Sequence, residues 1–258
     1  VNPDAKDPDL TAIVLVACCC SGISRHSYLD RRVAPWTSAQ LPGFGTASQI
    51  ATQAFALENR QAEIEVMPWK DAYNQAKQGK FQATLGWIYN KQRAKDFLYS
   101  VPVFRTNYYW FYRKDSPKAP FNWEELDKHK GLRVGITRGY FYGKEFDELK
   151  EKGSLTLIEA DSDEENFQKL LAGSIDLFPH NLCVGYYQLR YTFVETMTEI
   201  THSPFAFSVN NLHLLFNRVS ADSPKLLEIF NRGMTKLSKQ ESFKKTQNKC
   251  FRNWKMGT

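Results

Sequence analysis

"GKFQATLGWIYNKQRAKDFLYSVPVF", residues 79–104, decides how the chain is organised. The segment before it, "KDAYNQAKQGK", is amphipathic and stops at Gly79, a residue that ends helices because it takes positive φ without strain. "FQATLGW" then reads as a buried strand. Ahead of the helix, "AEIEVM" at 62–67 alternates apolar and polar, as a half-buried strand does. Strand, helix and strand in that order make a βαβ unit with parallel strands. Trp87, between Gly86 and Ile88, lies at the mouth of the second strand, where open α/β sheets place their binding residues.

Working outward, the same alternation repeats. Ile50, Ala54 and Leu57 share one helical face. A second region begins at "GLRVGIT", in which Leu132, Val134 and Ile136 alternate, and continues with the strand "LTLIEA". Ser162 with Glu165 forms a capping box for a helix carrying Phe167, Leu170 and Leu171, which Gly173 ends. "IDLF", 175–178, is the next expected strand. The last long helix starts at Asp222-Ser223-Pro224 and is expected to bury Leu226, Leu227, Phe230, Met234 and Leu237. Two α/β regions result, and the prolines and charges of "FYRKDSPKAPFNW" mark the crossover between them.

Composition removes several classes of function. The 258 residues are 42% hydrophobic and 24% charged, an ordinary globular balance. No apolar run approaches the ~20 residues that span a bilayer. The net charge of +6 comes from scattered basic residues, so nucleic acid is not an expected partner. The glycines of "GITRGYFYG" miss the spacing of both dinucleotide and P-loop motifs. His26, His129, His180, His202 and His213 lack metal-ligand spacing, and Cys18-Cys19-Cys20 lacks the gap of a zinc knuckle. No catalytic signature, metal site or cofactor is expected. Aromatics at 14% suit a cavity that stacks on ligands, or simply a core.

Residues 79–104 also carry a resemblance. A strand leads through a turn to Arg93, seven residues before Ser100, with Pro102 following. "MPWKDAYNQAKQGKFQATLGW" precedes it, and "APWTSAQLPGFGTASQIATQAF", containing Trp36, looks like an opening segment after a first strand. In this the chain resembles the family 3 extracellular solute-binding proteins, receptors of polar amino-acid uptake, from residue 34 to about 245. The resemblance implies a type II periplasmic-binding-protein fold: two α/β lobes joined by two hinge strands, with ligand held between them. Lobe 1 would be 34–112 with 212–258, and lobe 2 would be 113–211. It further implies an exported monomer that delivers ligand to an inner-membrane ABC permease, without a cofactor. Carried over by motif position, Arg93 takes the ligand carboxylate, because a guanidinium offers two parallel donors to a planar anion. The rival reading is a surface salt bridge. Trp69 falls at the place of an aromatic that stacks on the ligand, with core packing as its rival, and Trp87 at that of a cleft residue, with core or rim as its rival.

The departures narrow the ligand. Amino-acid binders of this family place hydroxyls where this chain has Leu85-Gly86-Trp87-Ile88. In lobe 2, Arg138-Gly139-Tyr140 replaces a Gly-Thr-Thr phrase, which supplies a second cation and an aromatic. The acid that pairs with a ligand ammonium falls at Asn181, and a neutral amide cannot offset a buried positive charge. The expected ligand is therefore a small anionic or aromatic molecule rather than a plain α-amino acid. Two alternatives on the same fold are a cyclohexadienyl dehydratase-like enzyme, with His180 as its candidate acid or base, and a ligand-sensing module.

Residues 1–33 fit this scheme poorly. "LVAC", Leu15 to Cys18, matches a lipoprotein box, but "VNPDAKDPD" is acidic where export signals start basic, which argues against lipid anchoring. "SYLDRRV", Ser27 to Val33, puts Asp30, Arg31 and Arg32 where a buried parallel strand is due, and Val33 where a tyrosine is due. A frame shifted by one base turns Cys18, Cys19 and Cys20 into Ala or Val, and Ser27, Tyr28 and Asp30 into strand residues. The reading is a signal peptide and first strand carried out of frame up to Ala34, for a protein of the periplasm. Cys183 and Cys250 are then the remaining cysteines, and their pairing is open.

Overall fold

The computed structural model describes residues 12–18, 35–39, 41–128, 131–153 and 155–243, in two compact units. The first unit opens with β1 (Ala12–Cys18), α1 (Thr46–Ala56), β2 (Ala62–Pro68), α2 (Trp69–Lys77), β3 (Ala83–Ile88), the single turn α3 (Arg93–Asp96) and β4 (Phe97–Tyr99). The second unit starts at Arg105 within β5 (Phe104–Arg113). It contains β6 (Leu132–Thr137), α4 (Lys144–Glu151), β7 (Leu155–Ala160), α5 (Asp163–Leu171), β8 (Phe178–Asn181), α6 (Leu182–Thr192) and β9 (Ile200–His202). The chain rejoins the first unit at Asn211 within β10 (Ser208–Asn217), which α7 (Ser223–Ser238) follows. Both passages thus fall inside strands. The proline-rich stretch expected to be the crossover lies in the second unit, because β5 runs unbroken to Arg113 with Trp110 and Phe111 buried.

In the first unit β1 runs between β2 and β3, parallel to both, with Val14 opposite Ile64 and Ala83. An uncharged segment with Ile13, Val14 and Val16 has the composition of a parallel strand. Ser27 to Val33, the expected first strand, lies outside the described residues. β10 adds antiparallel to β3 and to β4. Helices α1 and α7 pack closely: a methyl on Gly233 would stand 1.9 Å from the Ala54 carbonyl oxygen, and Phe55 meets Phe230 at 5.1 Å. α7 buries Leu226, Ile229, Phe230, Met234 and Leu237, whereas Leu227 is only half-buried, since Ile229 completes the helical face.

In the second unit β6 and β7 pair in parallel from Leu132↔Leu155 to Thr137↔Ala160. Ser162 caps α5, accepting from the Glu165 N–H at 3.1 Å, while Glu165 reaches back to the Asp161 N–H at 2.8 Å. The strand expected at "IDLF" begins only at Phe178, and Leu177 makes a single parallel bridge to Val134. Side chains occupy the ladder's start: the buried Asp176 carboxylate accepts from the Arg133 N–H at 2.7 Å, its guanidinium at 2.7 and 3.1 Å, and Lys118 at 2.7 Å. β8 and β9 both pair antiparallel to β5.

Candidate functional site

The centre of the first unit's site is an irregularity in β3. Leu214 of β10 faces Leu85 and His213 faces Trp87, so β3 carries one extra residue, Gly86, at φ +96°. This is a β-bulge, which turns the following side chain to the other face. Without it Trp87 would share a face with Leu85. Instead it lies with Thr84, whose Oγ1 accepts from the indole Nε1–H at 3.0 Å.

On that face Trp87 is held from several sides. Trp69, the first residue of α2, meets it edge-on at 4.7 Å and 90°, and Tyr73, one helical turn later, at 5.4 Å. Ala72, Ala76, Phe97 and Leu215 complete the cluster. Trp87 is 8% exposed, so core packing claims most of its surface, while Trp69 is half-buried. Arg93 is also half-buried, and its guanidinium lies over the Trp87 ring at 4.7 Å. Among the described residues that guanidinium makes one long hydrogen bond, donated to the Ile88 carbonyl at 3.4 Å. Among the described residues no carboxylate pairs with Arg93, so the surface salt bridge does not occur there. Asn90 fixes the turn before it, accepting from the Gln92 and Arg93 N–H groups at 2.8 and 3.2 Å. Arg93, Gly86, Trp87 and Trp69 are thus brought together at the C-terminal ends of β2 and β3.

Sequence reasoning missed Tyr73, Thr84 and His213. Tyr73 was legible as the i+4 neighbour of Trp69 on a helix, whereas the other two depend on the bulge and on cross-strand pairing. His213 Nδ1 lies 2.8 Å from the Ser100 carbonyl, which can only accept, so this nitrogen carries the proton. Burial holds the His213 pKa below the ordinary imidazole value. Trp36 belongs to the core, 4% exposed and stacked on Phe104 at 4.8 Å.

In the second unit Arg138, Gly139 and Tyr140 follow β6, with Gly139 at φ +78°. Arg138 is exposed and already paired, with Glu159 and with Asp161 at 3.0 Å, so its charge is offset within the unit. The Tyr140 hydroxyl donates to buried Asp163 at 3.2 Å. Asn181 is 5% exposed and caps α6: its Oδ1 accepts from the Cys183 and Val184 N–H groups at 2.9 and 3.0 Å, and its Nδ2 donates to Thr106. Cys183 is disulfide-bonded, and Cys250 lies outside the described residues. His180 is enclosed by Phe111, Phe167 and Phe178, the last stacked at 4.9 Å, and Asp163 stands 3.7 Å from its Nε2. Burial, partly opposed by Asp163, holds its pKa below the ordinary value. Among the described residues no cluster of His, Cys, Asp or Glu could hold a metal ion, and no helix is long and apolar enough to cross a membrane.

Residues 37–253 match the model of the bacterial extracellular solute-binding proteins, family 3, and the chain belongs to that family. No curated protein sequence matches it significantly. Among solved structures it is similar to a histidine kinase sensor domain resembling periplasmic binding proteins, at 18% identity and TM-score 0.69, covering 93% of this chain and 95% of that one. An ancestral arginine-binding protein bound to arginine matches at 17% identity and TM-score 0.69, over 93% of this chain and 98% of that one. An arginine transport-system periplasmic binding protein from Legionella pneumophila matches at 13% identity and TM-score 0.69, over 94% and 100%. The fold is that of the type II periplasmic binding proteins.

Proposed function

We propose that this family 3 solute-binding protein captures a small anionic, carboxylate-bearing ligand and delivers it from the periplasm to an ABC permease. Ligand binding draws the two lobes together by hinge movement, and the closed form is what the permease reads. The observation that carries this reading is Arg93: a half-buried guanidinium, with five N–H donors, that makes one long hydrogen bond among the described residues. A planar carboxylate satisfies such a group bidentately. Trp69 supplies the aromatic wall, which favours ligands with a flat or apolar body.

Asn181 supports an anion over a zwitterion, because both ends of its amide serve α6 and Thr106 and neither carries charge. Catalysis is not part of this reading: His180 is enclosed by aromatic rings, out of reach of a substrate, and incubation with arogenate or prephenate should give no product. The test is a thermal-shift screen across amino acids, organic acids and aromatic metabolites, in which a ligand at 100 times its Kd adds about 2.7 kcal/mol. Hits confined to carboxylate anions, and lost in Arg93→Ala, support the proposal. Tight calorimetric binding of a standard zwitterionic amino acid refutes it.

The likeness to a sensor domain favours one second reading, in which the same capture reports ligand to a membrane kinase. Uptake of the identified ligand that survives deletion of this protein, with loss of a transcriptional response, would select sensing over transport.

A further inference from the structure

We infer that Trp87 is a positioning residue, which fixes the guanidinium of Arg93 from beneath, rather than a surface on which the ligand stacks. The inference rests on the proposed role of Arg93 and specifies how its guanidinium is held. Trp87 is too enclosed to offer a ring face to a ligand, at 8% exposure with Trp69 and Tyr73 against it. The guanidinium of Arg93 lies over the ring at 4.7 Å. The indole cannot turn freely, since its N–H is donated to Thr84 and its face is set by the bulge at Gly86.

A cation over an indole face is held by the ring quadrupole, most strongly where water is partly excluded. A guanidinium held against a ring through its flat face keeps its N–H edge for donation to a planar anion. Three features therefore form one device. Gly86 turns Trp87, Thr84 and the α2 aromatics lock it, and Trp87 holds Arg93 ready. Ordering an arginine side chain in advance removes an entropy cost that binding would otherwise meet.

Arginine-labelled NMR of the full chain tests this without ligand. An indole ring current should shift the Arg93 Nε–H proton or δ-methylene protons upfield of the other arginines, with assignment by Arg93→Lys. The shift should persist, reduced, in Trp87→Phe and vanish in Trp87→Leu, with far-UV circular dichroism confirming both variants folded. No displaced resonance in the wild type, or one unchanged in Trp87→Leu, overturns the inference. Sodium benzoate, with benzamide as the neutral control, then probes the site: Trp87→Leu should weaken benzoate about tenfold and Trp87→Phe much less. Equal benzoate affinity in the wild type and Trp87→Leu also overturns it. If the displaced resonance behaves as expected but neither benzoate nor any other carboxylate binds the wild type, the guanidinium platform stands and the proposed receptor function fails.

Discussion

Gly86 and Trp69 leave no space between them: a methyl group on Gly86 would stand 2.9 Å from Cη2 of the Trp69 indole. Its backbone, at φ +96°, also lies where L side chains are strained. Gly86→Ala should therefore destabilise the protein by about 1–3 kcal/mol. It should also displace the Trp69 ring, and tryptophan fluorescence with thermal melts reads both. A melt unchanged within error would show that the bulge does not constrain this turn.

Removing the Arg93 guanidinium should abolish ligand binding with little effect on folding, because among the described residues no ion pair is lost with it. Arg93→Lys keeps the charge but loses the planar fork, so affinity should fall by about 10-fold or more. Calorimetry with the first hit of the ligand screen, alongside melts of both variants, checks this. Loss of stability in parallel with loss of binding would point to a structural role.

Asp176 joins Arg133 on β6 to Lys118 on the stretch after β5. Burial tends to raise its carboxyl pKa, but Arg133 and Lys118 together hold it below the ordinary value. A depressed folded pKa stabilises the protein above the unfolded value of about 3.9, and that contribution is lost as pH falls through the folded value. Asp176→Asn should cost about 1.5–3 kcal/mol at pH 7. The gap from wild type should close in strong acid, as urea melts across pH would show.

The opposite kind of group is His180, buried among phenylalanines and held neutral. Its lowered folded pKa makes it stabilising above the unfolded value of about 6.5 and costly as pH falls below it. Stability should decline as pH falls below about 6.5, ahead of the carboxylates, and His180→Gln should flatten that part of the curve. Proton NMR of the imidazole, if it titrated normally near 6.5, would remove the basis for this expectation.

The architecture was legible because its signals are periodic and local. Glu165 and Ser162 cap α5 as their spacing predicts, and Ala62 to Met67 alternate within β2. The errors share one physical cause, which is contact between elements distant in sequence. Asp176 looked like part of a strand until Arg133 and Lys118 met it from 43 and 58 residues away. Leu227 was placed on the buried face of α7, yet Ile229 takes that place against its neighbours. Motif position names Arg93 and Trp69 as candidates, and the fold brings both against Trp87. The places of Thr84 and His213 beside Trp87 were not legible, since they depend on a single extra residue in one strand and on its pairing.

That extra residue governs how the region can vary. A strand presents its side chains with a period of two, so were the ladder regular with Gly86 still in it, Trp87 would fall on the face of Leu85. Arg93 would then lose the ring beneath it although neither residue had been substituted. In comparisons among relatives, whether this strand keeps its bulge therefore carries as much information as the identity of its residues. A chain of the same length with a regular ladder here could keep both the tryptophan and the arginine and still lack their contact.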